Sequence, residues 1–334
     1  MKRIKIGHLG TFHDHSCGKL LCIRKFPEVF ELVGVVAENE EQKKKCMEMP
    51  SYQGVTWMSE EELFSVPGLS AVMVETDELS LIAQAQKCID HGLHVHIDKP
   101  AGESINNFER LLSSAKEKKL TVQMAYMYRY NPAIQKALDI TRSGKLGEIY
   151  QVNAIMNTGH NAEKREWLAK FKGGIMFFLG CHMVDLALLF RGEPKKIIPY
   201  NYVSGFEGTS SLDNCRAVFE YDNGISLVES TAVEINGFGR RQLVVCGSKG
   251  TLSIEPLETV FSPDVPTKLK LTLSEYAQPF QDKSKVLLCN GMTGRYDEMM
   301  MDFVKMVCGE KENPYSYEYE LMLQKTVLKA CGII

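Results

Sequence analysis

The run HGLHVHIDKPAG places Lys99 directly before Pro100, at the end of a strand-like segment. Open α/β sheets bind ligands at the carboxyl ends of their parallel strands. An X-Pro bond can be cis at modest cost, which would fix the lysine's direction. Turned into a partly dry cleft, the Lys99 ammonium would have a lowered pKa suited to general acid/base work; facing water, it would be an ordinary surface lysine. A second set lies in GGIMFFLGCHMVDLALLF, a strongly apolar helix with two polar hooks, His182 and Asp185. Residues three apart share a helix face, and Phe178, four before His182, lies on that same face. This pair reads either as a satisfied core histidine or as a positioned proton carrier. No Ser-His-Asp or nucleophilic cysteine arrangement is more persuasive.

The N-terminal stretch IKIGHLGTFHDHSCGKLLCI raises a different chemistry. A dinucleotide fingerprint is G-x-G-x-x-G after a strand and opening a helix. Gly10 stands at the first glycine position, but Phe12 and His15 stand at the second and third. As a diphosphate cradle, Gly10, Thr11, Phe12, His13 and His15 would offer backbone N–H groups at a helix N-terminus, with the two histidines donating hydrogen bonds to phosphate. The alternative is an ordinary strand and turn. A metal site from His13, Asp14, His15 and Cys17 is disfavoured, because adjacent residues on a tight turn rarely converge on one ion; no metal is expected. The second strand ends in VVAENE, where Glu38 falls about 28 residues after Gly10, somewhat beyond the nominal spacing of an acid that accepts from the adenosine ribose. It is either that acid or an exposed carboxylate. In the first case it repels a 2′-phosphate and favours NAD over NADP.

Alternating elements must position these residues. Over the first third, strands at RIKIGHLG (Lys2 to Gly7), FELVGVVAE, the run ending VMVET, HVHIDKP and LTVQMAY alternate with helices around Gly18 to Lys25 and at NEEQKKKCMEM, LSLIAQAQKCIDHG and INNFERLLSSAKEKK. That order implies a parallel sheet with right-handed crossovers. From about Tyr126 the pattern changes to longer alternating strands, EIYQVNAIMN, CRAVFEY and ISLVESTAVEI, with hairpin signals at Asp222-Asn223-Gly224 and Lys249-Gly250. Helices remain at Pro132 to Ser143, near Gly180 to Phe190, and at Tyr296 to Cys308. The fold class read from this is α/β: a dinucleotide-binding domain over residues 1–124, then an α+β domain with an open, mostly antiparallel sheet over 125–334.

Bulk properties exclude several classes. With 334 residues, 44% hydrophobic and 24% charged, the chain is long enough for two buried cores. A formal net charge of -3 leaves no electrostatic footprint for nucleic acid or an anionic membrane. No apolar run reaches a membrane span, and no export signal is visible. Ten scattered cysteines, none in a C-x-x-C pair, fit reduced thiols and a cytoplasmic setting.

The succession KIGHLG, VVAEN, VMVETD, HVHIDKPAG, MYRYNPA, GKLGEI, GGIMFFLGCHMVDL and GSKGTL resembles the glucose–fructose oxidoreductase / inositol 2-dehydrogenase / MocA (Gfo/Idh/MocA) family over nearly the whole chain. The resemblance implies a Rossmann domain, a second domain whose open sheet forms a homodimer or homotetramer contact, and NAD(P)-dependent redox chemistry on sugars, cyclitols or related polyols. It matches Lys99 and His182 to the family's catalytic lysine and histidine, and Asp185 to a frequent acid one turn later. Asp98 replaces the usual glutamate before the lysine. The resemblance also places Glu38 at the ribose, Thr76-Asp77 against the cofactor and Arg129 near the nicotinamide. Phe178 stands where relatives commonly have an aspartate. Tyr128, Asn157, His160, Arg165 and Trp167 are lesser candidates for the substrate wall, with specificity shaped by residues 157–172 and 202–213. The expected reaction is hydride transfer between a carbinol carbon and nicotinamide, with Lys99 and His182 meeting across a cleft. The competing expectations are a binding sensor without turnover and an NAD-dependent glycoside-cleaving enzyme.

Overall fold

Short apolar runs buried on both faces become the strands of a parallel sheet. In the computed structural model, which describes residues 2–259, 262, 264–278, 281 and 283–334, these are β1 (Ile4–Leu9), β2 (Phe30–Val36), β3 (Leu69–Val74), β4 (His94–Ile97) and β5 (Val122–Met124), in the order β2-β1-β3-β4-β5. Every pairing is parallel. Ile6, Val72, Met73, Val74, Val95 and Ile97 are fully buried, as strands covered on both faces require. β1 lies two residues later than its sequence reading, because Gly7 to Leu9 pair with both neighbours, Gly34 to Val36 and Val72 to Val74. Gly10 therefore follows the strand at once.

The crossovers are α1 (Ser16–Lys25), α2 (Glu40–Met47), α3 (Glu60–Phe64), α4 (Leu81–Asp90) and α5 (Ile105–Glu117). α4 buries Leu81, Ile82, Ala85, Cys88 and Ile89, the stripe its spacing predicts. Side chains of Asn39, Ser59 and Ser104 accept from backbone N–H groups at the starts of α2, α3 and α5. α1 starts at Ser16 rather than Gly18, so His15 occupies its N-cap position.

The second unit comprises Met127–Arg295 and Met322–Ile334. It holds β6 (Ile149–Ile155), β7 (Lys196–Tyr202), β8 (Asn214–Tyr221), β9 (Gly224–Thr231), β10 (Gln242–Gly247), β11 (Gly250–Ile254), β12 (Thr267–Leu273) and β13 (Lys285–Cys289). They form one sheet in the order β13-β12-β11-β10-β6-β9-β8-β7, antiparallel except for β6 against β9. Both hairpins turn where expected, Tyr221 pairing with Gly224 and Gly247 with Gly250. The helices are α6 (Pro132–Arg142), α7 (Ala162–Trp167) and α8 (Cys181–Arg191). A π-helical turn, Met176–Gly180, leads into α8.

One segment corrects the domain reading. Tyr296–Leu321, assigned from sequence to the second domain, belongs with Met1–Tyr126 in the first unit. It contains α9 (Asp297–Val307) and the first turns of α10 (Tyr317–Ala330). The physical reason lies at β5, the sheet's edge. There Asn313 Nδ2 donates to Val122 O (2.9 Å), Tyr317 Oη to Leu120 O (2.6 Å), and Gln123 Nε2 to Met299 O (3.1 Å). Lys25 Nζ also meets Asp297 Oδ2 at 2.5 Å. Among the described residues, no helix is long and apolar enough to cross a membrane.

Candidate active site

The loop after β1 is shaped by one glycine and two acids. Gly10 has φ +90°, and a Cβ on it would lie 2.3 Å from Thr76 Cγ2 and 2.6 Å from Thr76 N. Thr76, expected at the cofactor, thus forms the wall against which the loop turns; Ser80 Oγ donates to its hydroxyl (3.0 Å). Asp77 Oδ1 accepts from Leu79 N (3.0 Å) just before α4. Glu38, at the end of β2, grips the loop. Its Oε1 accepts from Thr11 N (2.8 Å) and Phe12 N (3.1 Å), and its Oε2 from Thr11 Oγ1 (2.9 Å). His13 N donates to Glu75 O (3.0 Å), His15 N to His13 Nδ1 (3.2 Å), and Ser16 N to His13 O (2.9 Å). The N–H groups of residues 11, 12, 13, 15 and 16 therefore bind protein acceptors, which differs from a cradle of open amides. Phe12 projects outward, 47% exposed.

Beside the loop, at the carboxyl ends of β1, β2 and β3, lies a cavity of about 540 Å³. Gly10, Glu38, Lys43, Glu62 and Thr76 are among its lining residues. Oε1 spends both lone pairs on Thr11 N and Phe12 N, whereas Oε2 keeps one beyond its bond from Thr11 Oγ1, so a ribose hydroxyl can donate to Oε2 without breaking the hold on the loop.

Under the loop is a buried ionic cluster. Lys19 Nζ contacts Asp98 Oδ2 (2.5 Å) and Glu75 Oε1 (2.7 Å), all three side chains fully buried. His15 Nδ1 lies 3.1 Å from Asp98 Oδ2. His13 turns inward, its Nδ1 3.2 Å from Asp98 Oδ2 and its Nε2 3.8 Å from Glu78 Oε1. Of the two histidines assigned to the diphosphate, His15 alone keeps part of its side chain exposed. Burial, together with the charges of His15, Lys99 and Lys19, holds His13 well below the usual histidine range despite Asp98. Burial would raise Asp98, but His13, Lys19 and His15 outweigh it and hold its carboxyl well below the usual range. Glu75 is pushed well above it by burial, against the pull of Lys19. Lys99 follows Asp98, buried, with its N–H donating to Asp98 Oδ1 (2.7 Å) and its bond to Pro100 cis. Sequence reasoning missed Lys19 and Glu75. The signal for Lys19 was present, since it shares the spacing of Ser16, Leu20 and Ile23 on the buried side of α1.

In the second unit, most candidates serve internal pairs. Arg129 Nε and Nη2 each donate to one oxygen of Asp185 at 2.9 Å, both side chains 1% exposed. Tyr128 Oη donates to Glu258 Oε1 (2.6 Å), and its ring meets His182 edge-on with centroids 5.3 Å apart. Burial first, then the Glu258 charge, pushes the Tyr128 phenol above its usual range. His182 is buried on α8. Asn157 donates to Glu229 (2.8 Å) and Glu234 and accepts from Thr231 N (3.0 Å). His160 N donates to Ala232 O (2.8 Å). Arg165, buried, binds Phe206 O (3.1 Å), Thr209 Oγ1 (3.3 Å), Asp213 Oδ2 (3.3 Å) and Glu207, and so pins the 202–213 stretch. Phe178 sits in the π-helical turn, stacked on Phe171 and edge-on to Trp167. The Trp167 ring carries the Lys164 ammonium at 3.5 Å and that of Lys170 at 3.9 Å.

A parallel five-stranded sheet with an acid-lined cavity at its strand ends defines a Rossmann dinucleotide-binding unit. Comparison agrees: residues 5–126 match the oxidoreductase family with NAD-binding Rossmann fold, and residues 134–253 the GFO/IDH/MocA C-terminal domain. The chain belongs to the Gfo/Idh/MocA oxidoreductase family. It is 23% identical over 266 residues to the scyllo-inositol 2-dehydrogenase (NAD(+)) of Bacillus subtilis, covering 75% of this chain and 72% of that one. It is 26% identical over 176 residues to a D-xylose 1-dehydrogenase (NADP(+)) of Haloferax volcanii, covering 52% of this chain and 53% of that one. The match thus spans about half the length of the xylose enzyme. The crystal structure of a 3-ketoreductase from Actinomadura kijaniata with NADP and TDP-benzene shares the fold, with TM-score 0.81, 16% identity and coverage of 98% and 96%.

Proposed function

We propose that the protein is an NAD-dependent dehydrogenase that moves a hydride between nicotinamide and a carbinol or carbonyl carbon of a sugar, cyclitol or related polyol. The observation that carries the reading is the cavity at the ends of β1, β2 and β3, with Glu38 at its rim. Bound NAD supplies the hydride acceptor. The chain's part is to hold the adenosine end through Glu38 and to take the hydroxyl proton at Lys99 Nζ or the His182 imidazole. Glu38 and Glu62 stand against Lys43 in the lining, and a 2′-phosphate there meets like charge, which supports NAD over NADP.

The test is fluorescence titration with NADH and NADPH, then turnover on a polyol panel with Lys99→Ala and His182→Ala. NADH binding with turnover that both variants lose supports the reading. Binding without turnover on any polyol favours a sensor, and release of free sugar without net NADH favours glycoside cleavage. Tighter binding of NADPH than NADH overturns the cofactor preference.

Self-association through the second unit's sheet is part of the proposal. The face away from α6 and α8 presents Ile155, Ile198, Val218, Leu227, Val244, Val286 and Leu288 between polar neighbours. Light scattering reads it directly: a dimer or tetramer for the wild type, dissociated by Leu227→Arg, supports this face as the contact, and a monomeric wild type refutes it.

A further inference from the structure

The donor atoms of His13, His15 and Asp98 lie within 4.8 Å of one another. Sequence reading set a metal aside because neighbours on a turn seldom converge. Here the convergence point is Asp98, brought from the end of another strand. The His13 and His15 Nδ1 atoms approach its Oδ2 at 3.2 and 3.1 Å. Bonds of about 2.0–2.1 Å in a tetrahedral zinc shell put donors roughly 3.3 Å apart.

Two further observations point to a cation. The His15 N–H donates to His13 Nδ1, so that nitrogen carries a lone pair and no proton. Its approach to the Asp98 carboxylate is therefore one lone pair facing another, which a positive ion between them would relieve. Independently, Glu75 Oε2 is buried with no hydrogen-bond partner, 4.0 Å from His13 Nδ1. A buried oxygen with no partner costs stability until a hydrogen bond or an ion meets it. Lys19 does not reach it; its ammonium holds the other oxygen, Oε1.

We propose that His13 Nδ1, His15 Nδ1, Asp98 Oδ2 and Glu75 Oε2 form a site for Zn²⁺. Two imidazoles with two carboxylates are a zinc-type donor set. The ion takes the His13 lone pair over from the His15 amide. Lys19 keeps Glu75 Oε1, and Asp98 Oδ2, with two lone pairs, holds both Lys19 and the ion. The site ties the loop after β1 to the ends of β3 and β4. It goes beyond the dehydrogenase reading and does not depend on it.

The test uses the full chain without an affinity tag, stripped with EDTA and titrated with Zn²⁺ by calorimetry and with Co²⁺ by visible absorption. The expected result is one equivalent of either ion, visible d–d bands for Co²⁺, and at least tenfold weaker binding in His13→Gln and in Glu75→Gln. A wild type that binds less than a tenth of an equivalent, or variants that bind as tightly as wild type, overturns the proposal. Should either variant fail to fold, X-ray absorption of the zinc-loaded wild type decides. Two imidazoles in the shell uphold the site, and fewer refute it. Metal content is read without any activity, so failure here is distinct from failure of the dehydrogenase reading.

Discussion

The Arg129–Asp185 pair offers the sharpest energetic test of the second unit. Both side chains are 1% exposed, and the guanidinium meets the carboxylate through two bonds of 2.9 Å. Removing one partner of a buried pair strands a charge in a low-dielectric interior, which costs about 3–5 kcal/mol. Asp185→Leu and Arg129→Met are each expected to lose stability in that range. Replacing both at once, Arg129→Met with Asp185→Leu, removes both charges and is expected to cost no more than ~2 kcal/mol, because apolar substitutes for a buried pair are often near neutral. The cycle should therefore show a coupling of several kcal/mol, far above the ~0.5 kcal/mol of independent sites. Equilibrium urea unfolding of the four proteins measures it. Single variants that each lose less than ~1 kcal/mol, the scale of a solvated pair, would refute the argument that this arginine is a structural pin. The outcome bears on His182, because Asp185 lies one turn beyond it on α8 and the pair fixes that helix to the Arg129 segment.

Gly10→Ala should cost at least ~2 kcal/mol, since a left-handed conformation alone penalises an L residue by roughly 1–2 kcal/mol and the new Cβ would lie 2.6 Å from Thr76 N; thermal unfolding and NADH titration read the loss together. Glu38→Ala removes an acceptor from three loop donors. It should weaken NADH binding and shrink any NADH-over-NADPH preference by about tenfold, or ~1.4 kcal/mol; an unchanged ratio would mean that Glu38 does not face the ribose. His8 is buried, its Nε2 2.9 Å from Ser16 Oγ, and burial first, then the Lys19 charge, push its pKa down to about 3. The native ring is neutral while the unfolded ring titrates near 6.5, so this contribution is full above pH 6.5 and falls as pH drops toward 3. Between pH 7.5 and 5.0 the wild type should lose ~2 kcal/mol more than His8→Gln in urea unfolding; equal losses would show that His8 takes up no extra proton on unfolding.

The strands and helices that carry the site were legible because local pattern and tertiary role coincide. The stripe of α4, the apolar end of β3 from Ala71 to Val74, and the turn signals of the β8–β9 and β10–β11 hairpins all say in sequence what they do in space. Strands β7, β12 and β13 escaped, and each reads as half exposed, with polar residues such as Lys268 and Lys270 alternating with Leu269 and Leu271. The return of Tyr296–Leu321 to the first unit was illegible for another reason. The stripe of α9, Met299, Met300, Phe303, Val304 and Met306, says that the helix is buried on one face but not which core it meets, and the bonds that tie the segment to β5 leave no pattern in sequence. The loop after β1 shows the same contrast: Glu38 stands out by its position at the end of β2, whereas Glu75 sits directly after a strand like many exposed acids.

The loop after β1 shows why its missing glycines need not abolish the fold's function. In the glycine fingerprint, small residues let the backbone approach the diphosphate, which meets the amides themselves. Here Glu38 accepts from the amides of Thr11 and Phe12, and Glu75 O from that of His13, so those N–H groups cannot also serve as the anion's ligands. A loop held from behind by acceptors does not need a glycine at position 12, and Phe12 can point to solvent. The partly exposed His15 lies beside these amides, its Nδ1 3.1 Å from Asp98 Oδ2.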